Sequence, residues 1–162
     1  VELGWPAHGP FVAGPQGTYF DAYLGVAQKL LDEHHPRFQR MVRDLDMGIE
    51  IVPCEIVREA DGLAMSSRNV YLSPEQRAAA PVLYRALCAA RERFRAGERD
   101  AEALRRLVKD IIYPTPGAEI EYVSLADDRE LEETEGEITG PALLSLVVCF
   151  GQTRLLDNVE LG

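Results

Sequence analysis

The sequence contains no run approaching the roughly 20 apolar residues that a membrane-crossing helix needs. It also has no basic stretch followed by an apolar core of the kind that opens a secretory leader. A membrane is therefore not an expected partner. Cysteine is scarce: Cys54, Cys88 and Cys149 are far apart and sit in apolar contexts. An odd, scattered count argues against a disulfide framework and a zinc site, and predicts buried, reduced thiols in a cytoplasmic protein. Positive charge is also short, with 17 Lys and Arg against 27 Asp and Glu and a formal net charge of −10. Nucleic acid is not an expected partner, because affinity for it rests on neutralising phosphates. A nucleotide stays open, since charges beyond about 10 Å are screened and a local basic pocket can then dominate. His34 and His35 are adjacent, neighbours in sequence do not share a helix face, and no third ligand lies at a recognisable spacing. No metal ligands are assigned. Also missing are a Walker-type phosphate loop, a serine elbow and a histidine–carboxylate pair of catalytic type.

What is present reads as a globular chain of 162 residues, 46% apolar and 27% charged, long enough for one average domain or two small ones. Proline and glycine punctuate the first 17 residues, which reads as loop. Apolar spacing predicts helices over residues 24–31 and 38–45, then a turn at Gly48 and a strand over 49–52. Helix, turn, strand and a loop at the strand's carboxyl end make half of a parallel α/β unit, where ligands sit beyond the strand ends. A helix then starts at Ser73-Pro74-Glu75-Gln76 through a capping box, and Pro81 should kink or restart it. Leu83, Leu87, Ala90 and Phe94 recur at helical spacing. Asp100 caps a further helix striped by Leu104, Leu107, Val108, Ile111 and Ile112. The period then changes to that of strands over 119–125, 142–150 and 153–161, which predicts an antiparallel sheet. Between the first two strands, residues 127–137 hold seven carboxylates against one Arg and read as a solvated loop. The fold class is thus α/β, with a partial nucleotide-binding domain over 1–68 and a small α+β domain over 69–162.

The most informative stretch lies at that seam. It turns on Asp61-Gly62 and then presents Ser66, Ser67 and Arg68 side by side. Two hydroxyls and a planar fork of N–H donors can grip one polyphosphate. A seam between domains is a common place for a ligand cleft, and the Asp61-Gly62 turn is expected to act as a hinge that closes over the ligand. The plain alternative is that the serines form a turn and Arg68 is a surface charge.

The flanks carry a resemblance. The run from Ile56 through Met65-Ser66-Ser67-Arg68-Asn69 to Ser73-Pro74-Glu75 resembles the pantoate–β-alanine ligase family, as do Arg40-Met41-Val42-Arg43-Asp44-Leu45-Asp46 and Gly151-Gln152-Thr153-Arg154-Leu155-Leu156-Asp157-Asn158. The likeness covers about residues 38–162. It implies a nucleotidyltransferase-like, Rossmann-type parallel domain followed by the small C-terminal one. It further implies a cytoplasmic homodimer that uses ATP with Mg2+ to join pantoate to β-alanine through pantoyl adenylate. By that match Ser66, Ser67 and Arg68 hold the ATP phosphates in catalysis, and Val57 and Met65 line the adenine. The family's histidine-containing motif and its Gly-Glu-Lys-Asp segment have no counterpart here. The chain is therefore expected to represent a longer enzyme incompletely. The alternatives are a noncatalytic C-terminal module, a degenerate homologue without turnover, or a relative that adenylates another acid.

Overall fold

The computed structural model describes Leu45, Asp46, Gly48, residues 55–128 and residues 132–162. The strand expected over 49–52, the helix over 24–31, most of that over 38–45, and His34, His35 and Cys54 lie outside the described residues. The parallel half of the expected fold lies there too.

The described part is a two-layer α+β unit. A 3-10 turn, Ser67–Tyr71, leads into three helices: α1 (Pro74–Ala79), α2 (Val82–Arg95) and α3 (Ala101–Ile112). Three strands follow, β1 (Ala118–Asp127), β2 (Ala142–Phe150) and β3 (Thr153–Leu161). They form one antiparallel sheet in the order β1-β2-β3, as the strand periodicity predicts. Among the described residues no helix is long and apolar enough to cross a membrane.

Local chemistry sets the helix ends. Ser73 accepts the Gln76 N–H at 3.2 Å while the Gln76 side chain accepts the Ser73 N–H at 2.9 Å, so the expected capping box forms. Pro81 separates α1 from α2, because a proline cannot donate to the preceding turn. Asp100 accepts from the N–H groups of Glu102 and Ala103 and so starts α3. In α3, Leu104, Val108 and Ile112 are fully buried, while Leu107 and Ile111 sit half-buried at the edge of the stripe.

Helix α2 packs on β3 and α3 packs on β1, so both helices cover one face of the sheet. Alternate β2 residues Leu144, Leu146, Val148 and Phe150 fill the layer between them with Leu83, Leu87 and Leu104. Leu63, well before the first helix, joins the same core. The hairpin that precedes the 3-10 turn is therefore built onto this unit.

Two expectations change. Cys88 and Cys149 are free thiols but only half-buried; Cys149 alternates with the core residues Val148 and Phe150 and so faces the other side of the sheet. The acidic stretch is not simply solvated. Thr134 N–H donates to Leu125 O at 2.8 Å and Asp127 N–H to Glu132 O at 3.0 Å, so 132–134 lies against β1. Glu133 accepts from buried Arg105 at 2.9 Å and from the Leu125 N–H at 3.1 Å. A buried guanidinium needs a carboxylate partner, and the acidic loop supplies it.

Candidate functional site

Residues 57–65 form a tight hairpin. Glu59 N–H donates to Leu63 O at 2.8 Å, Gly62 N–H to Glu59 O at 2.8 Å, and Met65 N–H to Val57 O at 2.9 Å. The three-residue connection ends on Gly62 at φ +90°, a position that suits glycine, as in hairpins closed by a bulge. Close approach gives glycine a second reason to stand there: a Cβ on Gly62 would lie 2.4 Å from Cδ1 of Tyr84.

The expected hinge at Asp61-Gly62 is instead braced from several sides. The fork of Arg58 holds Asp157 on β3 with two bonds, of 2.7 and 3.0 Å, across 99 residues of sequence. The same guanidinium donates to Gly62 O at 3.1 Å and stacks 3.8 Å from the centroid of the Tyr84 ring on α2. Asp157 is 1% exposed. Removing one partner of such a buried pair costs roughly 3–5 kcal/mol, because the other charge is left uncompensated. On the opposite side Arg77 of α1 reaches Asp61 at 2.6 Å and Glu59 at 2.7 Å. The Arg77 hydrogen bond holds the Asp61 carboxyl below the usual carboxylate range.

From this base the chain enters Ser66-Ser67-Arg68. Ser66 Oγ accepts the Arg68 N–H at 3.2 Å, so its own O–H is left to donate outward. Ser67 and Arg68 are exposed. The Arg68 side chain makes no ion pair or hydrogen bond among the described residues. Asn69 closes the segment, donating to Glu59 Oε1 at 2.9 Å and to Ala64 O at 3.1 Å. Of the five residues picked out by sequence, Val57 and Met65 are thus brought side by side across the hairpin. Ser66, Ser67 and Arg68 follow directly on its exit strand. Val57 is 44% exposed and Met65 half-buried, so an apolar surface borders the polar one.

Arg68 also faces a groove of about 470 Å³, whose other walls include Tyr71, Gln76, Gln152 and Arg154. A small adjoining hollow is lined by Ser66, Arg68 and Asn69 on one side and by residues 154–157 of β3 on the other. Arg154 is held by Glu121 through two bonds, of 2.6 and 2.9 Å. The Arg154 hydrogen bond keeps the Glu121 carboxyl below its ordinary range. Glu121 reaches it because a bulge between Ile120 and Tyr122 displaces it from the regular register. Sequence reasoning missed Arg58, Asp157 and Arg154 as members of this region. The available signal was that all three stand in the two family-like segments, but sequence does not show those segments touching. Among the described residues no group of three or more His, Cys, Asp or Glu is placed to hold a metal ion.

The arrangement can therefore offer an anion one guanidinium without a partner among the described residues and two hydroxyls, on a base fixed by ion pairs. Comparison with known proteins bears on which anion. Residues 34–160 match the family model described as pantoate-beta-alanine ligase. A pantothenate synthetase of Pelotomaculum thermopropionicum is 58% identical over 124 residues, which are 76% of this chain and 44% of that protein. One from Roseiflexus sp. is 56% identical over 123 residues, again 76% of this chain and 44% of that protein. The crystal structure of pantothenate synthetase from Thermus thermophilus has a TM-score of 0.69 at 42% identity, covering 76% of this chain and 44% of that one. The chain thus spans less than half the length of these relatives. Sequence and fold comparisons point to the same family, and the chain belongs to the pantoate–β-alanine ligase family.

Proposed function

We propose that this chain carries the phosphate-gripping part of an enzyme that condenses pantoate with β-alanine in two steps. A pantoate carboxylate oxygen attacks the α-phosphorus of ATP, the bond to the β-phosphate breaks, and pyrophosphate leaves. The β-alanine amine then attacks the acyl carbon of pantoyl adenylate and AMP leaves. Negative charge grows on the departing pyrophosphate in the first step. Donors already fixed at that position stabilise the transition state more than the ground state. Ser66, Ser67 and Arg68 take this role, with Val57 and Met65 against the adenine. Mg2+ fits as a companion of the phosphates, the usual way this ion is bound, rather than as an ion in a protein cage. The reading keeps the division into a nucleotide-binding part, 1–68, and a C-terminal part, 69–162, with the hairpin of the first fastened to the second. A cytoplasmic homodimer belongs to the same reading.

The single observation that supports it most is Arg68: a guanidinium without a partner among the described residues, between two hydroxyl residues and a groove, directly after a braced hairpin. The test is pantoate-dependent exchange of labelled pyrophosphate into ATP by the intact protein. Arg68→Ala should lower exchange by about 10²–10³ with the melting temperature retained, the usual loss when one transition-state donor is removed. Normal exchange by that variant would remove the phosphate role. No affinity for ATP at millimolar concentration would favour the noncatalytic module instead.

A further inference from the structure

The bond between Arg58 and Asp157 does more than close the fold, because of where its two ends lie. Arg58 pairs through its backbone with Ala64, two residues before Ser66. Asp157 stands in the wall of the small hollow that faces Ser66, Arg68 and Asn69. The ion pair therefore ties the hairpin that leads into Ser66 to the β3 residue that lines the hollow opposite it. Asn69 ties the far end of the segment back to Glu59 and Ala64, so Ser66-Ser67-Arg68 is a short span between two fixed points. The hairpin has little freedom to move on its own, since Gly62 abuts Tyr84 and Arg58 stacks on the same ring.

We propose that Arg58 and Asp157 are positioning residues: their ion pair sets the separation between the Ser66-Ser67-Arg68 segment and β3, and so the aim of the phosphate donors. This rests on the phosphate role argued above for those three residues. A misplacement of about 1 Å at a reacting group can cost about a hundredfold in rate, so a pair that touches no substrate can still govern turnover. The Gly151–Asn158 signature thereby gains a function at this site through Asp157.

The test compares Arg58→Met, Asp157→Asn and the double variant in the intact protein. Asparagine keeps the Oδ1 acceptor that Asp157 gives the Asn158 N–H at 2.8 Å. Arg58→Met alone leaves Asp157 buried and uncompensated, so it should melt early. The double variant carries neither charge and should recover most of that loss. If the pair positions the donors, the double variant still exchanges pyrophosphate at least tenfold more slowly, with KM for ATP raised and KM for pantoate unchanged. Recovered melting together with wild-type exchange and KM would overturn the proposal and leave the pair a structural one. Should the double variant fail to fold, Arg58→Lys keeps the charge but loses the fork. Its expected result is the same ATP-specific defect, and an unchanged KM for ATP overturns the proposal there too. Arg68→Ala separates the two layers of inference. If that variant exchanges normally, the phosphate reading falls; if it is impaired while the Arg58 variants are not, only the positioning role falls.

Discussion

Gly62→Ala should cost far more stability than Gly97→Ala, although both glycines have a left-handed backbone. Their φ angles are +90° and +107°. A Cβ in that region costs about 1–2 kcal/mol wherever it occurs. At Gly97 a new methyl would meet nothing within 4 Å, so the backbone cost is the whole of it. At Gly62 the methyl would stand 2.4 Å from Cδ1 and 3.1 Å from Cε1 of Tyr84. The ring is not free to swing aside, because the Arg58 guanidinium lies 3.8 Å from its centroid and is itself bidentate on Asp157. Relieving the overlap adds the roughly 1–3 kcal/mol of an overpacked site. The expected totals are about 2–5 kcal/mol for Gly62→Ala and about 1–2 kcal/mol for Gly97→Ala. Urea unfolding followed by circular dichroism reads both. With a slope of about 2 kcal/mol/M, the midpoint should drop by about 1–2.5 M in the first variant and about 0.5–1 M in the second, with the slope unchanged. Repeating Gly62→Ala in a Tyr84→Ala background should bring its cost down to that of Gly97→Ala, since the clash is then gone. Equal midpoints for the two single variants would refute the close approach of Gly62 to Tyr84, and with it the bracing of the hairpin.

Ser73→Ala should lower the melting temperature by about 2–4 °C, the equivalent of the roughly 1 kcal/mol that a helix cap contributes, and an unchanged melt would show that the capping box is idle. Acid should weaken the fold in a defined sense. Hydrogen bonds from Arg77, Arg105 and Arg154 lower the carboxyl pKa of Asp61, Glu102 and Glu121 respectively. Their contribution is therefore present above the ordinary carboxylate range and is lost as the pH falls below it. Urea midpoints measured between about pH 6 and about pH 3 should decline, and Arg154→Met should flatten the part owed to Glu121; a slope untouched by that change would sink the assignment.

Much of the fold was legible because its signals are local. The Ser73–Gln76 capping box, Pro81 and the Asp100 cap each act within four residues, and each is present where the sequence predicts it. The three strands announced themselves by alternation in the first and by an apolar run after Gly140-Pro141 in the second, and the pairing of the second with the third follows from the short Gly151-Gln152 connection. The Ser66-Ser67-Arg68 segment was picked out as two hydroxyls beside a guanidinium, and the family likeness of its flanks gave that reading its weight. What sequence did not show depends on contacts between distant positions. Nothing in Arg58 or Asp157 taken singly shows that they meet, and the pair is bidentate only because β3 runs beneath the hairpin. Glu133 likewise looked like one carboxylate among seven until Arg105 was seen buried beneath it. The bracing of the hinge expected at Asp61-Gly62 was hidden for the same reason: a glycine that suggests freedom in sequence is, in space, the one with least room among the described glycines.

The reach of the Arg58–Asp157 bond also sets an order of events during synthesis. Arg58 emerges from the ribosome 99 residues ahead of its partner. At about 5–20 residues per second, the hairpin waits roughly 5–20 s for Asp157 to exist. During that interval Arg58 can meet the Tyr84 ring but has no Asp157 carboxylate to pair with. The Ser66-Ser67-Arg68 segment can therefore be fixed against β3 only after that strand has been made and paired. A nascent chain of this protein would acquire its helices first and this long-range clamp late, once β3 closes over residues made many seconds before.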